Sequence, residues 1–133
     1  KQSNILGCDS CSGDHSGLME SAIVQLKNGK LWQLIRTNWG YFEESFSSNQ
    51  GITWSKPKKT AIDASSAPAA LTRLASGRLI LVWNRMYPEG KSSYPLIGGK
   101  ENPNLSEIPA SWQREELAMA FSDDDGKTGQ HPL

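Results

Sequence analysis

A short segment recurs in this chain, and the recurrence limits the possible folds more than any other feature. Ser21 to Leu26, the turn Lys27-Asn28-Gly29-Lys30 and Leu31 to Thr37 are echoed by Ala69 to Leu74, the turn Ala75-Ser76-Gly77-Arg78 and Leu79 to Arg85. Leu26 and Leu74, Gly29 and Gly77, and Leu31 and Leu79 each stand 48 residues apart. Apolar segments broken by a Gly-containing turn read as β-hairpins, and Asn-Gly favours a two-residue turn in which both positions take φ > 0. That turn sets Ser21 opposite Arg36 and Glu20 opposite Thr37. One supersecondary unit returning at a spacing of about 40–50 residues points to a propeller or solenoid, whose copies bury each other's faces.

The next segments extend the repeat. Tyr41 to Phe46 runs into Ser47-Ser48-Asn49-Gln50-Gly51-Ile52-Thr53-Trp54, and Leu117 to Phe121 runs into Ser122-Asp123-Asp124-Asp125-Gly126-Lys127-Thr128-Gly129. Both turns read S-x-[DN]-x-G-x-T, offset by 75 residues rather than 48, and the difference is a Pro/Gly/Ser-rich insertion over 87–114. In such a turn Asn49 or Asp124 bonds its own backbone as an Asx-turn, and Gly51 or Gly126 takes the left-handed position. The hydroxyls of Ser47, Thr53, Ser122 and Thr128 satisfy the remaining amides, and Trp54 packs beneath. Glu115, Glu116, Leu117, Ala118 and Met119 are good helix formers. The repeat nonetheless makes this stretch a strand, because it then accounts for both copies. The expected fold is all-β, about two four-stranded propeller blades with the second incomplete. Residues 1–17 form a Gly/Ser-rich N-terminal segment, 18–66 the first blade with its polar turn at 47–54, and 67–133 the second with its turn at 122–129.

Composition removes several function classes. Over 133 residues, 14 Lys and Arg balance 14 Asp and Glu, so the positive field that nucleic-acid binding requires is missing. The longest apolar run, Leu79 to Trp83, is far shorter than the ~20 residues of a membrane helix, so neither nucleic acid nor membrane is an expected partner. The chain opens without Met or a charged-then-apolar leader, which suggests a processed chain or an internal piece of a longer one. Cys8 and Cys11 form a C-x-x-C with Asp14 and His15 close behind. Zinc usually takes four ligands from two separated pairs, and the remaining His131 is remote, so no metal or other cofactor is expected. The surrounding Gly and Ser favour a loop carrying two thiols or one short disulfide. Asp123-Asp124-Asp125-Gly126 lacks the bidentate Glu six residues after the Gly that a calcium loop needs.

With these repeats the chain resembles the sialidase (neuraminidase) superfamily, especially bacterial sialidase-like proteins that carry the bacterial neuraminidase repeat. The two polar turns look like the family's Asp-boxes, S-x-D-x-G-x-T-W, with Asn49 in place of the Asp in the first and Gly129 in place of the Trp in the second. The resemblance runs from about Gly17 to Thr128. It implies a six-bladed propeller whose site sits at the central mouth and acts as an exo-glycosidase on a carboxylated, sialic-acid-like sugar. It further implies an arginine triad for the carboxylate, a Tyr nucleophile, a Glu that deprotonates it and an Asp acid/base. The residue types suit that chemistry. Guanidinium forks match carboxylates and stay charged. A neutral Tyr avoids repulsion from an anionic sugar and needs a nearby base.

The resemblance maps Glu20 onto the catalytic Glu, Arg36 onto the second triad arginine and Arg114 onto the third. Asn84 and Arg85, ending the equivalent strand of the second copy, are expected to line the same mouth. Trp39, Tyr41 and Trp112 are candidates to stack on a sugar, although packing roles suit them better. The family's first arginine and acid/base Asp would lie upstream of this sequence and its Tyr downstream of Arg114, where Tyr41, Tyr87 and Tyr94 do not fall. Two blades also leave open edges. The chain is therefore expected to be a fragment of a six-bladed protein, or to close a ring as a homotrimer in which Ser3 to Cys8 supply the neighbour's missing strand. The rival reading is a non-catalytic glycan-binding or structural module. A true sialidase would be exported or extracellular.

Overall fold

A computed structural model of the chain describes residues 4, 18–92 and 114–127, and these contain seven β-strands and no helix. Strands β1 (Ser21–Gln25), β2 (Leu31–Ile35), β3 (Tyr41–Ser47) and β4 (Lys58–Asp63) pair in that order into an antiparallel sheet. Strands β5 (Ala70–Arg73), β6 (Leu79–Asn84) and β7 (Leu117–Ser122) form a second antiparallel sheet, also in sequence order. Two meandering sheets stacked face to face are the arrangement of neighbouring propeller blades. The helix-forming composition before Phe121 loses to a period of two: Ala118 is buried while Leu117 and Met119 face outward, so only a strand buries one face here. Cys8, Cys11, His15, Tyr94, Trp112, Thr128 and Gly129 lie outside the described residues, as does most of the segment Ser3 to Cys8.

The first hairpin departs from the two-residue turn expected of Asn-Gly. Leu26 N–H donates to the Lys30 carbonyl at 2.8 Å and Gly29 N–H to the Leu26 carbonyl at 2.9 Å, so Lys27, Asn28 and Gly29 form a three-residue loop. Asn28 Oδ1 accepts the Lys30 amide at 3.0 Å, and Gly29 alone takes the left-handed conformation at φ 83°. This is the loop that closes on a left-handed residue, in which Gly is nearly free of strain. The register moves by one residue: Ser21 faces Ile35, and Glu20 therefore faces Arg36 rather than Thr37. The second hairpin repeats the geometry, with Leu74 bonded to Arg78 and Gly77 at φ 87°.

The corrected register decides which side chains meet between the sheets. Val24, Trp32, Leu34 and Phe42 of the first sheet pack with Leu71, Leu79, Leu81, Trp83 and Ala118 of the second. Polar bonds tie the strand ends across this core. Trp83 Nε1 donates to the Asp63 carbonyl at 2.8 Å, and the Ser65 amide donates to the Asn84 carbonyl at 2.9 Å. Between the outer strands the sheets part around a cavity of about 530 Å³ lined by Trp32, Glu44, Ile62, Leu81, Trp83 and Phe121. The far face of the second sheet carries exposed apolar side chains, with Leu117 70% and Met119 42% accessible.

Both polar turns wind through two successive left-handed residues, Gln50 and Gly51 at φ 59° and 80°, and Asp125 and Gly126 at φ 61° and 81°. In the first, Ser47 Oγ accepts the Gly51 amide at 2.9 Å, Asn49 Oδ1 accepts the Thr53 amide at 2.8 Å, and Asn49 Nδ2 donates to Thr53 Oγ1 at 2.8 Å. In the second, Ser122 Oγ accepts the Gly126 amide at 2.7 Å and donates to Asp124 Oδ1 at 2.9 Å. Trp54 lies against Gly51, and Trp32 against Gly126.

Asp125 then reaches back to both hairpins. It accepts the Lys27 amide at 2.6 Å on one oxygen and Arg73 Nη2 at 2.8 Å on the other. Arg73 also donates to the carbonyls of Gln25 and Gly77. One carboxylate and one guanidinium thus clasp the two sheets at the end that carries the polar turns. Burial alone would raise the Asp125 pKa, but the Lys27 amide and the Arg73 guanidinium outweigh it and hold the group below its ordinary value.

Two outcomes follow for stability. Replacing Asp125 by Ala is expected to lower the unfolding free energy at neutral pH by about 2 kcal/mol, the scale of hydrogen bonds to a charged group. Because the folded pKa is depressed, this contribution is complete above the ordinary value of 3.8 and disappears as pH falls through the lower folded value. Urea midpoints of the two proteins should therefore converge on acidification. Gly126→Ala is expected to cost more than Gly77→Ala in the same assay. A Cβ on Gly126 would meet the Trp32 ring at 3.1 Å, whereas one on Gly77 meets nothing within 4 Å and pays only for its positive φ.

Candidate functional site

The antiparallel order brings the start of β1, the end of β2, the end of β4, the end of β6 and the start of β7 to the end of the sheets opposite the polar turns. Pleat parity places Glu20 and Arg36 on the same face as Ala22, Val24, Trp32 and Leu34, toward the second sheet. The two residues are joined by backbone as well as side chain. Arg36 N–H donates to the Glu20 carbonyl at 3.0 Å, and Arg36 Nη1 lies 2.9 Å from Glu20 Oε2. Arg36 is the sheltered partner, its side chain 12% accessible against 62% for Glu20.

The other edge of the Arg36 guanidinium is occupied from the segment that joins the sheets. Ser66 Oγ accepts Nε at 3.4 Å and Nη2 at 3.2 Å. Arg114 Nη2 donates to the carbonyl of the same Ser66 at 3.4 Å. Arg36 and Arg114 thus meet at one residue absent from the expected set, and Glu20 is held to Arg36 on its far side. Arg114 also holds a left-handed backbone at φ 49°, a conformation that long side chains seldom adopt and that clusters at functional positions. The Glu20 carboxyl is held below its ordinary value, first by its own backbone amide, then by the hydrogen bond and charge of Arg36, with a further contribution from Arg114. The group is an anion beside two cations, suited to act as a base or to balance charge rather than to donate a proton.

Asn84 and Arg85 sit at this end but are engaged in support. Asn84 Nδ2 donates to the carbonyls of Arg114 at 3.5 Å and Glu116 at 3.4 Å, which ties the start of β7 to the end of β6. Asn84 stands 48 residues after Arg36 and Pro68 stands 48 after Glu20, so the second copy carries an uncharged amide side chain and a proline ring where the first carries the ion pair. Arg85 pairs with Glu116 at 3.1 Å and approaches Asp63 at 3.7 Å. A more polar pocket of about 640 Å³ opens beside it, lined by Tyr87, Glu89, Lys91 and Glu116.

Trp39 is buried and tilts against Tyr41, whose ring lies under Lys59 Nζ at 4.2 Å, so both aromatic side chains pack in place. Burial, with the Glu43 charge, pushes the Tyr41 hydroxyl pKa up, away from the activation a nucleophile needs. Asn38, between Arg36 and Trp39, is wholly buried with neither amide atom hydrogen-bonded, a costly state in a folded interior. Among the described residues no three His, Cys, Asp or Glu side chains gather as metal ligands, and no helix is long and apolar enough to cross a membrane. Sequence reasoning missed Ser66, Arg73 and Asp125. The run of small residues from Ala64 to Ala70 was the available sign that chain and side chains approach closely near Ser66.

Chemically, two guanidinium groups braced by one residue can hold a carboxylate by charge-assisted bonds, with a second carboxylate beside it. The chain matches the sequence model of the BNR repeat-like domain over residues 6–133. No curated protein matches it.

The ion pair is directly testable by carboxyl-carbon NMR titration. The Glu20 pKa should lie below the ordinary 4.5 in the wild-type chain and move up toward it in Arg36→Gln. A value of 4.5 or above in the wild type would contradict the geometry.

Proposed function

We propose, for a chain that belongs to the BNR repeat-like domain family, a sialidase-like role: the end of the sheets around Ser66 binds the carboxylate of an acidic sugar within a glycan-processing propeller of exo-glycosidase type. The observation that carries this reading is the convergence of Arg36 and Arg114 on Ser66 with Glu20 beside them. Arg36 and Arg114 supply the fixed positive charge, and a sugar carboxylate would compete with Glu20 for the Arg36 fork. Glu20, ionised and largely exposed, would serve as the base toward a tyrosine nucleophile contributed from outside the matched positions of this chain. Asn84 and Arg85 would shape the rim.

A second reading has its own support. Tyr41 is held neutral by its surroundings and the far face of the second sheet is apolar and exposed, as suits a non-catalytic glycan-binding module that completes its ring by association with further copies, as a homotrimer.

Titration with N-acetylneuraminate and hydrolysis of a fluorogenic sialoside separate these. Binding is expected to weaken about tenfold or more in Arg36→Ala, the scale of a lost charge-assisted pair. Glu20→Gln should keep the binding and abolish turnover under the enzymatic reading. Binding without turnover in the wild type at every concentration favours the module, and neither binding nor turnover overturns both. A light-scattering mass of one chain at micromolar concentration would remove the homotrimer.

A further inference from the structure

Ser66 stands in the segment between β4 and β5, 1% accessible, and is flanked by the equally buried Ser65 and Ala67. Its neighbourhood is fixed before any side chain acts. The Ser65 amide is bonded to the Asn84 carbonyl at 2.9 Å, and the Ala67 amide to the Ser65 carbonyl at 2.7 Å. The first bond ties the segment to the end of β6, and Asn84 Nδ2 in turn holds the Arg114 carbonyl. On the other side the Ala64 amide donates to the Gly40 carbonyl at 3.0 Å, next to β3, so main-chain bonds hold the segment to both sheets.

From this platform Ser66 addresses two cations through two different atoms. Its hydroxyl oxygen accepts the Nε and Nη2 edge of Arg36 at 3.4 and 3.2 Å, and its carbonyl oxygen accepts Arg114 Nη2 at 3.4 Å. The positive charge of Arg36 is balanced on its far side by Glu20 Oε2 at 2.9 Å. Two like-charged groups brought to one place repel, and a shared acceptor between them offsets that repulsion while fixing their separation. Long arginine side chains otherwise lose rotamer freedom when a ligand immobilises them. Ordering both before a ligand arrives removes that cost from binding.

We propose that Ser66 is the positioning residue of the carboxylate site: it sets the spacing of Arg36 and Arg114, and its hydroxyl holds one edge of the Arg36 guanidinium so that the remaining edge, which Glu20 occupies at 2.9 Å, is aimed where an acidic sugar would exchange with that carboxylate. This rests on the carboxylate-binding reading above, but its first consequence is visible without any ligand. A serine hydroxyl in a linker of small residues thus acts on specificity through the two arginines and without touching the substrate itself.

The test uses the intact chain and three substitutions, Ser66→Ala, Ser66→Cys and Ser66→Thr, with melting temperatures recorded for each. Cys keeps the volume and is a weak acceptor, and Thr keeps the hydroxyl. Exchange of the Arg36 Nε proton, followed by ¹⁵N NMR in the absence of ligand, is expected to speed up about tenfold in Ala and Cys and to return toward the wild-type rate in Thr. The affinity for N-acetylneuraminate should fall by about the same factor in Ala and Cys and recover in Thr. Unchanged exchange and affinity in Ala and Cys would overturn the proposal. So would a loss in all three that tracks a lowered melting temperature, since that marks packing alone. If the exchange pattern appears while the wild type binds no acidic sugar, Ser66 does position Arg36 and it is the carboxylated-sugar reading that fails.

Discussion

Everything at the Ser66 end of this protein depends on the register of one hairpin. A β-strand alternates its side chains between two faces, so a shift of one residue reverses every assignment along it. The three-residue loop at Lys27, Asn28 and Gly29 sets that register, and with it the face to which Trp32, Leu34 and Arg36 belong. The same choice that sends Trp32 and Leu34 into the core sends Arg36 toward the second sheet and Glu20 beside it. Core and site are thus one decision. A two-residue turn would separate Glu20 from Arg36 across the sheet.

This locates the limit of what the residues alone reveal. The 48-residue recurrence was legible because apolar residues recur in both copies, and it was enough to choose strand over helix for the stretch around Ala118. The turn type was not legible. Asn-Gly is the usual mark of a two-residue turn, yet here Asn28 spends its side-chain oxygen on the Lys30 amide and only Gly29 becomes left-handed. Arg36, Arg114 and Glu20 were reachable only through resemblance, since isolated surface charges carry little information. Ser66 and Asp125 were hidden for a different reason. A serine between small residues reads as linker, and Asp125 fills a position where the repeated turn accepts any residue. Their roles arise from neighbours remote in sequence, such as Lys27, Arg73 and Arg114.

The two ends of the stacked sheets handle charge in opposite ways. At the end of the polar turns, Asp125 is met by the Lys27 amide and the Arg73 guanidinium, and Arg73 is further committed to two carbonyls. Its ionic groups are consumed in holding the sheets together. At the other end Arg36 and Arg114 rest on the neutral oxygens of Ser66, and the carboxylate facing Arg36 is itself largely exposed. Cations supported by neutral acceptors keep most of their attraction for an incoming anion. The apolar core between the ends keeps these two charge systems apart.

The correspondence between Arg36 and Asn84 carries a consequence for how such a repeat diversifies. The two hairpins share loop and register, yet at matching places one copy displays a guanidinium and the other an amide that braces the chain leading to Arg114. Backbone symmetry is retained while chemical symmetry is broken. A repeated unit of this kind need not carry the same chemistry twice: one copy holds an ion pair open to solvent on its Glu20 side, while its twin, at the same place in the hairpin, turns its side chain to bracing the neighbouring strand.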